Sequence, residues 1–232
     1  MQPPPGLSIS RRERPAKPAL TRDGIVASAV AIMRTEGLEQ VTMRRLAQAL
    51  DTGPASLYVY VRNTADLHGA VLDEMLGEVT LQPVPATAHW RERLVQVLFS
   101  YTTVLYEHPA LARFAFVARP FGPHYLNLVE ALLGLLTEGG VGPDRAAWGV
   151  DLLLLFATAT AAEQATGAAD ANNDMDALAG AVENVSPLSH PHIAALADEL
   201  LSGPGHARLI WGLHVLISGI QQSERPRAQE NT

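Results

Sequence analysis

Residues Thr42–Val71 read TMRRLAQALDTGPASLYVYVRNTADLHGAV. Val41 and Leu46 flank the cap candidate Thr42 as a hydrophobic staple, and Met43, Leu46, Ala47 and Leu50 share one face, so the spacing predicts a short helix. Leu50, Asp51, Thr52 and Gly53 form a four-residue turn. Pro54 suits the first position of another helix, because its missing N–H would have no partner there anyway. Asn63 can cap a further helix striped by Leu67, Val71, Met75 and Val79, which must end before Pro83 and Pro85. Two short helices around such a turn predict a helix-turn-helix, in which the first helix braces on a DNA backbone and the second offers its start to the major groove. The candidates are Thr42, Arg44 and Arg45 from the first and Pro54, Ala55, Ser56, Tyr58, Val59 and Tyr60 from the second, with Asn63 beyond them. Arg44 is assigned to guanine, whose O6 and N7 one guanidinium can bond together; the hydroxyls suit phosphates or base edges, and the apolar side chains suit thymine methyls.

Upstream, Thr21 is a cap between the staple pair Leu20 and Ile25; Ile25, Ala29, Ile32 and Met33 recur at helical spacing, and Gly37 supplies the stop. Residues 1–19 carry five prolines among arginines and read as a disordered basic leader. Downstream the pattern stays helical: about 87–107, 109–117, 121–137 and 143–166, then a loop to about Pro187, a short helix at 191–201 and a last one at 205–222. No strand period or repeat is convincing. The predicted architecture is all-α, with a helix-turn-helix domain at 20–66, a larger helical domain at 67–222 joined to it by the fourth helix, and a flexible tail at 223–232.

Charge sharpens this. The 232-residue chain has net charge −7, yet up to Thr64 it carries nine basic and five acidic residues, net +4, leaving −11 for the remainder. A basic head on an acidic body suggests a polyanion partner at one end. Lys17 is the only lysine and there is no Cys, which removes Schiff-base, P-loop and thiolate chemistry from the body. The longest uncharged apolar run, Leu152–Ala162, is too short for a bilayer, and Met1–Gly6 is no secretory signal, so a cytoplasmic protein without membrane contact is expected. Asp151, Glu163 and His124 fix no recognisable nucleophile, base and orienting group, so an enzyme is not expected.

The quoted segment, and within it the cluster Leu57, Tyr58, Val61 and Asn63, resembles the DNA-binding domain of TetR-family transcriptional regulators. The similarity extends more weakly through Trp90, the Arg119–Pro120 pair and Glu163–Gln164, which resemble the tetracycline-repressor type of ligand domain. The resemblance implies a homodimer on a palindromic operator and a repressor that lets go when a small molecule binds; an activator or an effector-free DNA-binding protein of the same fold is the alternative. Thr64 stands where the family places a phosphate-touching lysine, and the leader arginines Arg11, Arg12 and Arg14 are candidates to compensate.

For the effector pocket, Tyr101 stands where the family pattern puts a ligand-contacting aromatic, and Phe114, Phe121, Trp148 and Phe156 are further candidates. Asp151, a carboxylate in an apolar run, needs a partner or a shifted pKa. Helix 143–166 is apolar almost all round and the last helix has a broad apolar face, so Leu152, Leu155, Glu163, Leu209, Leu213, Leu216 and Ile217 are assigned to the dimer interface. On the family pattern the magnesium-ligating His and the ring-binding Asn become Ala115 and Val97, so no tetracycline–magnesium response, no metal and no cofactor are expected; the effector is expected to be largely apolar or aromatic.

Overall fold

The computed structural model describes residues 19–83, 85–118, 120–164 and 168–226. Leader arginines Arg11, Arg12 and Arg14, Arg119 and most of the predicted tail fall outside them. The described residues are helical, with no strand: α1 Arg22–Glu36, a 3-10 turn Leu38–Gln40, α2 Met43–Ala49, α3 Pro54–Leu57, α4 Thr64–Leu76, α5 Trp90–Glu107, α6 Pro109–Val117, α7 Pro123–Glu138, α8 Pro143–Gln164, α9 Ala168–Glu183, α10 Pro191–Ala195, α11 Ala197–Leu201 and α12 Gly205–Gln222.

Local chemistry starts the head helices where the sequence predicts. Thr21 Oγ1 accepts from the Gly24 amide and Thr42 Oγ1 from the Arg45 amide, both at 3.1 Å, while Asn63 Oδ1 accepts from the Asp66 amide at 2.8 Å. Each bond satisfies a donor that the helix itself leaves without a partner. Both staples are in place, with Ile25, Val41 and Leu46 fully buried and Leu20 half-buried. Asp51 takes φ 49° in the turn between α2 and α3, a left-handed conformation that Asp tolerates better than most residues. α1, α2, α3 and the start of α4 close a small core around Ile25, Leu46, Leu57 and Leu67.

A second core forms where α5, α6, α7 and α12 pack on α8, burying Leu94, Leu98, Leu105, Leu128, Leu132, Leu153 and Leu213. α8 is long and apolar enough, by length and composition, to cross a bilayer, which the shorter run counted from sequence did not suggest. In this fold its inner face, with Val150, Leu153, Leu154, Ala157 and Ala161, is buried against neighbouring helices. α4 contacts α1 on one side and α5, α6 and α7 on the other, joining the two cores.

Three expectations change. The loop predicted up to Pro187 is largely helix α9, for its alanines, strong helix formers, outweigh the Asn, Asp and Gly read as turn signals. The helix predicted at 191–201 breaks at Leu196, whose φ −118° and ψ 16° leave the helical region. α4 stops at Leu76, although Val79, the last member of its predicted stripe, is still buried.

α7 offers a paired test of packing. A Cβ on Gly139 would stand 2.4 Å from the buried Trp90 indole, whereas one on Gly134, mid-helix, would meet nothing within 4 Å. In thermal and urea denaturation, Gly134→Ala is expected to stabilise the protein by about 0.5–1 kcal/mol and Gly139→Ala to destabilise it by about 1–3 kcal/mol.

Candidate nucleic-acid interface and effector cavity

The reading face is built by α2, the turn and α3. Pro54, Ala55 and Ser56 are exposed at the start of α3, with Tyr58 and Val59, 54% and 80% exposed, just after it. α3 is a single turn of helix; Leu57, its one buried side chain, anchors it, and the Leu57 carbonyl accepts from the amides of Tyr60 and Val61 at 2.9 and 3.0 Å. Tyr60 is half-buried against the core and is less available to DNA than its neighbours. Asn63 is engaged too: its side-chain oxygen caps α4.

The two arginines of α2 have different surroundings. Arg44 is exposed and, among the described residues, makes no ion pair or hydrogen bond through its side chain. Arg45 turns back to α1, its Nε and Nη2 reaching the two Glu36 carboxylate oxygens at 3.0 and 2.5 Å. Planar guanidinium matches carboxylate in this two-bond geometry, so the pair fixes α1 against α2 and removes Arg45 as a free cation. The hydrogen bond from Arg45 holds the Glu36 carboxyl below its ordinary value. Asp66 is also lowered, first by the Arg62 amide, which donates to its Oδ2 at 2.9 Å, and then by the Arg62 guanidinium. Both carboxylates therefore add stability above their ordinary values of 4.5 and 3.8, and that contribution is lost as pH falls through the lowered ones.

A cavity of about 70 Å³ lies between α5, α6, α7 and α8, lined by Tyr101, Ala115, Phe116, Pro120, Tyr125, Asp151, Leu154, Leu155 and Thr158. Its walls are mostly apolar, with a polar pair at the back: Tyr101 OH and Thr158 Oγ1 are 2.6 Å apart. Burial pushes the Tyr101 phenol up to about 12 despite the threonine bond, so it stays neutral and can exchange its partner for a ligand hydroxyl or carbonyl.

Of the residues expected to bind effector, Tyr101 and Asp151 reach this cavity. Asp151 is exposed in the single chain, rather than enclosed, at the seam between the cavity and a groove along α8. Phe114 points edge-on at His68, ring centres 5.7 Å apart; Phe121 is 70% exposed; Trp148 lines the groove with the Arg225 guanidinium 4.1 Å from its ring centre; and Phe156 packs on Gly212 of α12. A helix apolar on every side does not reveal from sequence which aromatic faces which neighbour. Thr158, missed earlier, stands seven residues after Asp151 and on the same stripe, a spacing that could have found it. Tyr125 had no such signal. Val97 is buried in the core away from the cavity, whereas Ala115 is in its wall.

The residues expected at a dimer interface divide between two faces. Leu209, Leu213 and Ile217 point into the chain's own core, because α12 covers α8, and Leu216 is half-buried. The outward apolar side chains are Trp148, Leu152 and Leu155 on α8 and Trp211 and Val215 on α12, with Glu163 also exposed. Of these, Trp148, Leu152 and Leu155 edge the groove, whose volume is about 420 Å³.

Residues 25–71 match the family described as bacterial regulatory proteins, tetR family, and residues 82–223 match the tetracyclin repressor-like C-terminal domain. The chain belongs to the TetR family, and is a transcription regulator rather than an enzyme. A solved Streptomyces coelicolor transcription regulator is 54% identical, with TM-score 0.78, over 92% of this chain and 100% of that one. The structure of ActR, a TetR family protein of Streptomyces coelicolor, in complex with actinorhodin is 37% identical, with TM-score 0.77, covering 88% and 96%. An HTH-type transcriptional regulator of Saccharopolyspora erythraea is 34% identical over 140 residues, 60% of this chain and 59% of that protein.

Arg44 and Arg45 should separate binding from folding. On DNA from the gene's own upstream region, Arg44→Ala is expected to weaken specific binding by about 1–3 kcal/mol if it reads a base, with an unchanged melting midpoint. Arg45→Ala is expected to lower the midpoint, and the gap from wild type to close in acid as Glu36 protonates.

Proposed function

We propose that the chain is a homodimeric, cytoplasmic repressor that holds a palindromic operator and releases it when a hydroxylated polycyclic aromatic compound enters the cavity beside Tyr101. In this reading residues 20–66 are the reading head and 67–222 the effector and dimer part. The head presents an apolar and hydroxyl-bearing α3 beside the unpaired Arg44, a mixture suited to base edges and phosphates. The exposed tryptophans and leucines of α8 and α12 supply a surface that a second copy would cover, and two-fold symmetry would set the heads about one DNA turn apart, roughly 34–36 Å.

The observation that carries the effector class is the Tyr101–Thr158 pair at the back of an apolar cavity. Apolar walls favour a flat hydrocarbon body, and the phenol and hydroxyl favour one quinone or phenol oxygen. Actinorhodin bound to the related ActR is a precedent for such a compound. Without an imidazole at Ala115, magnesium–tetracycline is not the proposed inducer.

Fluorescence anisotropy on upstream DNA, titrated with actinorhodin as the probe, tests this. The expected result is a dimer at one specific site, released by the probe, with Tyr101→Phe weakening probe binding by about tenfold and sparing DNA affinity. Equal affinity for upstream and random DNA would overturn the repressor reading, and a response untouched by Tyr101→Phe would overturn the assigned site.

A further inference from the structure

α4 carries a buried carboxylate that neither DNA reading nor the cavity uses. Asp73 is 8% exposed, and its Oδ1 accepts from the Tyr125 amide at 2.9 Å while Oδ2 accepts, at 3.4 Å, from the His124 amide. These are first-turn donors of α7, which has no side-chain cap of its own, since Gly122 occupies the cap position. Asp73 therefore caps α7 from another helix, with charge of the sign that a helix N-terminus favours. Space here is reserved for it: a Cβ on Gly122 would lie 2.1–2.4 Å from the Asp73 carboxylate atoms.

The residue so held is Tyr125, part of the cavity wall. Five residues back on α4, His68 Nε2 is 2.8 Å from the Val41 carbonyl, immediately before α2, and its ring meets Phe114 of α6. α4 is thus tied to the cavity wall at Asp73 and to the reading head at His68. The tie points are about 7.5 Å apart along one rigid helix.

Resting on the reading of the cavity as the effector site, we propose that Asp73 is a positioning residue that couples the cavity wall to the reading head, by locking the start of α7 to α4. A ligand that moves Tyr125 then moves α4, because the Asp73 bonds carry the displacement. With the lock cut, α7 shifts alone and the head loses its reference to the ligand domain.

Hydrogen exchange on the full-length, effector-free protein tests this directly. Asp73→Ala removes both bonds; Asp73→Asn is near-isosteric, has one acceptor oxygen instead of two, and is read if the alanine variant does not fold. Gly122→Ala keeps the carboxylate but denies it room. Each is expected to speed exchange by about tenfold at two separate places, the start of α7 at 123–126 and the head segment 41–61, which does not touch Asp73. The helices α8 and α12 serve as unchanged references. A purely local cap would speed exchange at 123–126 alone, and that result, or no change anywhere in the folded variants, would overturn the proposal. Because no ligand is added, a wild-type protein that ignores actinorhodin would count against the effector reading and leave this result readable.

Discussion

α4 has to satisfy two hydrophobic cores at once. Seven of its 13 residues are buried, from Leu67 near the reading head to Leu76 near α7. Close-packed cores tolerate discrete rearrangement better than gradual deformation, so a helix shared by two of them passes a shift in one to the other. A flexible linker at the same place would let the head drift whatever the ligand domain did. The fold thus makes reading geometry depend on packing some way from DNA.

Inside the head, one ion pair settles a division of labour that composition alone leaves open. Both arginines of α2 look equally fit for a polyanion, and the excess positive charge of the segment favours either. Glu36 at the end of α1 decides between them, because a two-bond guanidinium–carboxylate pair fixes orientation as well as charge. The pair holds α1 to α2 and leaves Arg44 with its full set of donors.

The head was legible in the sequence for a clear reason: caps, staples and the Asp51 turn are local signals that act within a few residues, and each is satisfied by atoms close in sequence. What depends on distant partners was not. The inward turn of Leu209, Leu213 and Ile217 follows from α12 covering α8, a pairing that apolarity on all sides of α8 could not specify. Nothing local marks Asp73, because its donors lie 51 and 52 positions away. Asp151 stands among apolar sequence neighbours, yet on a helix those neighbours face elsewhere and the carboxylate itself is exposed. Helix α9 is hidden for the opposite reason: its Asn, Asp and Gly are turn-forming residues, but the alanines between them favour helix more strongly.

The size of the cavity constrains how any effector can act. If the proposed effector uses this cavity, its space of about 70 Å³ is several times smaller than the roughly 300–1,000 Å³ typical of drug-sized sites, so this arrangement of helices would not enclose a polycyclic compound. It would instead bind one in which the wall formed by Ala115, Phe116 and Pro120 on one side and Tyr125 on the other has moved apart. A ligand excluded from one arrangement and accepted by another has the differential affinity that a switch requires, and a coupling of about 1–3 kcal/mol is enough for a 5- to 150-fold change at the second site. By reciprocity, operator DNA that favours the closed arrangement weakens the effector by the same factor. In the proposed reading the tight cavity is therefore itself a source of the response, since a roomy preformed pocket would bind the same compound without needing the helices to move.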